Sequence, residues 1–212
     1  MRIPKIAMLS LSVLLTAGIA LAQEEKKQEK PAQGQPPQGA PAMGGPEMEA
    51  MMKATSPGEN HKHLAWYAGD FTFKNRMWMD PSQPPSESSG TMHGELIMGG
   101  RYVQTLWKGN FMGMPFEGRG TDGYDNLAKK YVSSWIDNMG TGILVSTGTC
   151  EQGGKVCNMS GDMIDPMTGK PSYIRSVTTW TDANNFKMEM YGKDPSSGQE
   201  VKMMEMIGTR KK

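Results

Sequence analysis

Gly99-Gly100-Arg101-Tyr102-Val103-Gln104-Thr105-Leu106-Trp107, residues 99–107, is the stretch that decides the fold. A Gly-Gly pair marks a turn. The six residues after Arg101 then alternate: Tyr102, Gln104 and Leu106 fall on one side, and Val103, Thr105 and Trp107 on the other. Alternation of period two, rich in aromatic and β-branched side chains, is the signature of a strand.

The same reading extends outward in both directions. Upstream, Phe71, Phe73, Met77 and Met79 share one parity. Downstream, Tyr131, Ser133 and Trp135 alternate with Val132, Ser134 and Ile136, and the segments 174–180, 186–191 and 201–207 continue the pattern. Turn chemistry separates them at Asp122-Gly123, Asp125-Asn126, Gly153-Gly154, 165–169 and 194–198. About ten strands are predicted, at the spacing of an antiparallel meander. No interval is long enough for the helix of a parallel crossover. The fold class expected is all-β, an antiparallel meander closed into a barrel, because closure removes exposed strand edges.

Three segments are expected along the chain. Residues 1–22 read as a cleavable signal peptide. Arg2 and Lys5 precede an apolar run that ends in Ala20-Leu21-Ala22, and no Cys follows to accept a lipid. Residues 23–45 are Pro-, Gly- and Gln-rich with a charged start, a composition that suits a disordered spacer. Residues 46–212 form the folded domain, beginning with one or two short helices. The second should start with Ser56 as N-cap, Pro57 in the first turn and Glu59 completing a capping box, and should run through Leu64 to Trp66. Export leads to an oxidising periplasmic or extracellular destination, with the released protein soluble.

Charge is balanced, with 23 Lys and Arg against 22 Asp and Glu. It turns slightly acidic once Arg2 and Lys5 leave with the leader. That balance argues against a nucleic-acid or anionic-membrane surface.

Cys150 and Cys157 flank the Gly153-Gly154 turn. A two-residue hairpin loop there makes them face each other across two strands, within disulfide reach. A cross-strand disulfide is predicted. The C-x-x-C spacing of a catalytic dithiol is absent.

Ordered motifs along the domain resemble those of the DUF1579 family. They are His61-x-x-Leu64, Gly69-Asp70-Phe71, Met98-Gly99-Gly100-Arg101-Tyr102, Pro115-Phe116-Glu117-Gly118, Gly123-Tyr124-Asp125-Asn126, Lys130-Tyr131, Trp135-Ile136-Asp137, and Met204-Glu205-Met206 followed by Arg210. The resemblance spans residues 47–212. Phe71 stands where that family usually has Trp. The family is uncharacterised in function, and its fold is thought similar to lipocalin-like, or calycin, barrels. What the resemblance implies is therefore a barrel, with Phe71 of the first strand packing under Arg210 of the last to close it.

No catalytic constellation is legible. Gly118-Arg119-Gly120-Thr121-Asp122-Gly123 matches G-x-G-x-x-G, but no helix follows it, so no dinucleotide cofactor is expected. His61 and His63 form an H-x-H pair on a predicted helix, where positions i and i+2 diverge. They are expected to pack or cap that helix, with no metal.

Methionine is abundant at 21 residues, with M-x-M at 77–79, 112–114, 188–190 and 204–206. Thioethers paired on one strand face suit Cu(I), and they equally suit an adaptable core or an apolar pocket. Polar residues among the strands, Arg101, Asp137, Arg175, Glu189 and Glu205, are candidate ligand anchors or acid–base groups.

The expected function is binding of a small, largely apolar ligand in the barrel, without a cofactor. The lining candidates are Trp66, Trp107, Met112, Met114 and Trp135, with Arg101, Asp137, Arg175 and Glu205 as polar candidates. One alternative is an enzyme in which groups such as Asp137, Arg175 and Glu205 converge. The other is a Met-based copper-binding or interaction module.

Overall fold

In the computed structural model of the protein, residues 45–165, 168–194 and 197–212 are described. The expected signal peptide, and all of the expected spacer except Gly45, lie outside them.

Two short helical segments precede the sheet. Helix α1, Pro46–Thr55, buries none of its residues and is tied down at its end, where Asn126 Nδ2 donates to the carbonyls of Ala54 (3.0 Å) and Ser56 (2.8 Å). Helix α2, Glu59–Lys62, runs directly into a 3₁₀ turn over His63–Tyr67. Its N-cap is Gly58 and not the expected Ser56. The Gly58 N–H, which a Ser56 cap would have left further inside the helix, is accepted by His61 Nδ1 at 3.0 Å.

Ten strands follow: β1 Gly69–Met77, β2 Ser86–Ile97, β3 Tyr102–Phe111, β4 Met114–Asp125, β5 Lys130–Asp137, β6 Leu144–Glu151, β7 Val156–Ile164, β8 Pro171–Asp182, β9 Asn185–Lys193 and β10 Glu200–Arg210. Each pairs antiparallel with its neighbour in sequence. β1 pairs with β10, which closes the barrel. Met79 lies beyond the end of β1 and is exposed, so the predicted parity run of this strand stops at Met77. Asp122-Gly123, expected as a turn, lies within β4; the chain reverses after Asp125 instead. Gly123 in the strand leaves room for the ring of Tyr102, which a Cβ would meet at 2.5 Å.

The two ends of the barrel differ. At the end where β1 starts and β10 stops, the α2–3₁₀ segment acts as a plug, with His61, His63 and Leu64 buried. Gly94 admits it, since a Cβ there would stand 1.9 Å from the Tyr67 carbonyl oxygen. Above the plug lies an aromatic and thioether core of Phe71, Phe73, Met92, Trp107, Trp180, Phe186, Met204 and Met206. Edge-on ring contacts stitch it together, such as Tyr67–Trp180 at 5.1 Å and Phe71–Phe186 at 5.8 Å. Glycines make room for these rings: a Cβ on Gly208 would sit 2.2 Å from Phe186, and one on Gly90 would sit 2.5 Å from Phe73.

Candidate functional site

The strand register orders the interior. Alternation on β8 carries Ile174, Thr178 and Trp180 inward as buried residues, so Ser176 shares their face. Register then links Met159, Ser176, Met190, Met204 and Met77 on neighbouring strands, and Met188, Met206 and Asn75 next to them. The M-x-M pairs at 188–190 and 204–206 thus face each other across the sheet on its inner side.

Burial is uneven over the inner face of the barrel. Inward residues near the plug are buried: Phe71, Phe73, Val103, Thr105, Trp107, Trp180 and Phe186. Other inward residues are half-buried, among them Met77, Phe116, Trp135, Asp137, Leu144, Met159, Ser176 and Met190, while Asn75, Ser146, Ile174 and Met204 among them are buried. The β1–β2 and β3–β4 connections lie at the unplugged end. A cleft of about 90 Å³ opens at its rim, lined by residues including Asn75, Met77, Ser88, Phe111 and Met112.

The lumen carries a few polar groups. Asn75 is buried, and its Oδ1 has no partner, while its Nδ2 reaches Ser88 Oγ at 3.5 Å. Asp122, inward on β4, is pushed up to about 6 by desolvation, partly offset by a hydrogen bond from Ser133. Tyr67 of the plug faces Thr178 and Trp180, and burial followed by the Asp122 charge pushes its hydroxyl up to about 12. Trp107 Nε1 donates to Thr105 Oγ1 at 3.0 Å.

The sequence candidates divide by location. Trp107, Trp135 and Asp137 are interior. Trp135 Nε1 donates to Asp137 Oδ2 at 2.8 Å, and its ring stacks on Phe116 at 6.4 Å. Met112 and Met114 stand exposed at the hairpin on the open rim. Trp66 belongs to the plug, edge-on to Trp180 at 5.7 Å. Arg101 is exposed in the turn after β2, its Nη1 donating to the Met98 carbonyl at 3.1 Å.

Arg175 and Glu205 are on the outer wall, not the lumen, because their strand neighbours Ile174, Met204 and Met206 take the inner face. Arg175 forks onto Glu200 at 2.9 and 2.7 Å and covers the Tyr191 ring. Glu205, with Glu189, accepts from Lys202. Asp137, Arg175 and Glu205 therefore do not converge. Gly118-Arg119-Gly120-Thr121-Asp122-Gly123 lies entirely within β4; a Cβ on Gly118 would stand 2.3 Å from the Trp135 ring. Its glycines seat side chains.

Asp122, Asn75 and Ser176 were missed as lumen residues. Parity counted from Trp107 and Phe73 carries that information only once the strand limits are known.

At the plugged end, Cys150 and Cys157 are paired in register and disulfide-bonded, with S–S 1.96 Å. His63 Nε2 lies 3.8 Å from both sulfur atoms. His63 Nδ1 is 3.1 Å from the Asn60 carbonyl, and the ring is edge-on to Tyr131 at 4.7 Å. Burial lowers its basicity below the usual imidazole range. Among the described residues no helix is long and apolar enough to cross a membrane.

Solved structures share the barrel. The crystal structure of Rv2717c from M. tuberculosis matches with a TM-score of 0.56 at 11% identity, over 74% of this chain and 100% of that one. The S-type phycobiliprotein lyase CPES from Guillardia theta matches with a TM-score of 0.50 at 8% identity, over 73% of this chain and 96% of that one. These likenesses establish a common fold. No curated protein matches the chain in sequence. Over residues 56–210 the chain matches the family described as "Protein of unknown function (DUF1579)", and it belongs to that family.

Proposed function

We propose that this protein is exported and binds a small, largely apolar ligand in the unplugged half of its barrel. The uneven burial of the inner face carries this reading: aromatic rings pack the core above the plug, while inward Met77, Phe116, Trp135, Met159 and Met190 keep surface within reach of solvent. Apolar walls with a few placed polar groups are the usual make-up of a small-molecule site. Methionines at 77, 159, 188 and 190 can re-pack around a flexible guest. The unpaired Asn75 Oδ1 offers an acceptor to a polar end of that guest.

Export is supported by the leader-like residues 1–22 and suits the Cys150–Cys157 disulfide. The scattering of Asp137, Arg175 and Glu205 counts against acid–base catalysis by that trio. One structural relative is a lyase, so the fold alone does not separate binding from catalysis.

Native mass spectrometry of protein purified from its own host tests the proposal. The expected result is a small molecule that leaves on denaturation, and whose return shifts the tryptophan fluorescence. Ligand-free protein that shows no fluorescence change with a panel of apolar compounds would overturn it.

A further inference from the structure

We propose that the plugged end carries a redox-gated site for a thiophilic d¹⁰ cation, formed by His63, Cys150 and Cys157 once their disulfide is reduced. The three ligand atoms already lie within 4.8 Å of one another. A cation held about 2.3 Å from each thiolate and about 2.0 Å from an imidazole nitrogen, in tetrahedral or trigonal geometry, needs S···N edges of about 3.5–3.8 Å. Both of those edges are present, at 3.8 Å. Only the S–S edge must open, and rotation about two side-chain bonds on adjacent strands can do that.

The histidine is prepared for the role. Its Nδ1–H donates to the Asn60 carbonyl, which leaves the Nε2 lone pair directed at the sulfurs. The plug fixes the ring, and the turn closes over it only because residue 154 is glycine. Gly154 has φ +96°, and a Cβ there would stand 2.4 Å from His63 Cβ. Two thiolates and an imidazole are a soft donor set suited to Zn(II) or Cu(I). Cys150, half-buried at the turn, gives the reductant a line of approach.

The step balances as follows. A dithiol reductant gives two electrons and two protons to the Cys150–Cys157 bond and is itself oxidised to a disulfide. Cation binding then releases the two thiol protons. The oxidised protein has no thiolate to offer, so the disulfide is the closed form of the gate.

The test uses the full chain reduced with a phosphine and kept anaerobic. Titration with Co(II) should give one equivalent bound, with thiolate-to-cobalt charge-transfer absorption that Zn(II) removes, and Cu(I) should be retained against a chromogenic chelator. Oxidised protein should bind none of them. Cys150→Ser should reduce the charge-transfer intensity to about half. His63→Gln should keep the thiolate band and weaken affinity by at least about tenfold. Absence of both Co(II) and Cu(I) uptake by the reduced protein would overturn the site. So would unfolding on reduction, or a His63→Gln variant of unchanged affinity.

Discussion

Arg210, at the end of β10, holds its guanidinium 4.4 Å from the centroid of the Phe71 ring on β1, and from that position donates to the carbonyls of Trp66, Ala68 and Ala183. One side chain thus joins the first strand, the last strand, the plug and the β8–β9 turn. Lysine has the charge but not the planar fork. Arg210→Lys should destabilise the barrel by about 2 kcal/mol, from the loss of several charge-assisted hydrogen bonds. Denaturant unfolding should show this as a lower midpoint at unchanged slope. A midpoint equal to wild type would mean that closure does not depend on the fork.

Asp122 should make the barrel more stable when its carboxyl is protonated. Its folded pKa, about 6, exceeds the ordinary 3.8 because desolvation disfavours the charge. The native state therefore binds the proton more tightly than the unfolded chain does, and stability from this group falls as pH rises from about 4 to about 6. Above that window the ionised carboxylate costs about 2–3 kcal/mol. Asp122→Asn keeps the shape and can still pair with Ser133. It should raise the melting temperature at pH 7 and leave it near wild type at pH 4. Equal shifts at both pH values would show that the charge is not the cause.

Much of this architecture could be read from the residues, because a half-buried antiparallel strand writes its own period into the chain. Tyr102 to Trp107 and Phe186 to Tyr191 alternate as the register requires. Asp122-Gly123 misled because Asp-Gly is a strong hairpin signal, and only the ring of Tyr102 across the strand pair explains a glycine there. Arg175 and Glu205 read as lumen candidates because period alone does not say which face is inner. The burial of Met204 and Met206 decides it for Glu205. The His63–cystine cluster leaves no local trace, since its members are brought together by the plug and not by spacing.

Gly94 offers a test of the plug. A methyl group there would meet backbone, the Tyr67 carbonyl oxygen at 1.9 Å, and backbone has no alternative rotamer to adopt. Gly94→Ala should push the 3₁₀ segment off the barrel and cost about 3 kcal/mol. Gly140→Ala, with nothing within 4 Å of the added carbon, should stay within about 0.5 kcal/mol of wild type. Amide exchange should localise the first effect to residues 59–67. Uniform loss of protection around the barrel would instead mean that plug and barrel unfold as one unit.

Ser176 tests the lumen directly. It faces inward on β8, in register with Met159 on one side and Met190 on the other, and it is half-buried where the neighbouring Ile174 and Thr178 are buried. On the proposed binding mode a phenylalanine there occupies the ligand's space at mid-height, and the flexible methionines beside it can adjust. Ser176→Phe should therefore leave the melting temperature within a few degrees of wild type, or raise it, because added apolar surface is covered. The same change should abolish retention of the co-purified small molecule in native mass spectrometry. Val145→Phe on the exposed outer face of β6 should not. Ligand retained by Ser176→Phe would move the binding site out of the lumen. A strongly destabilised Ser176→Phe would show that the unplugged half is packed solid, which removes the cavity on which ligand binding rests.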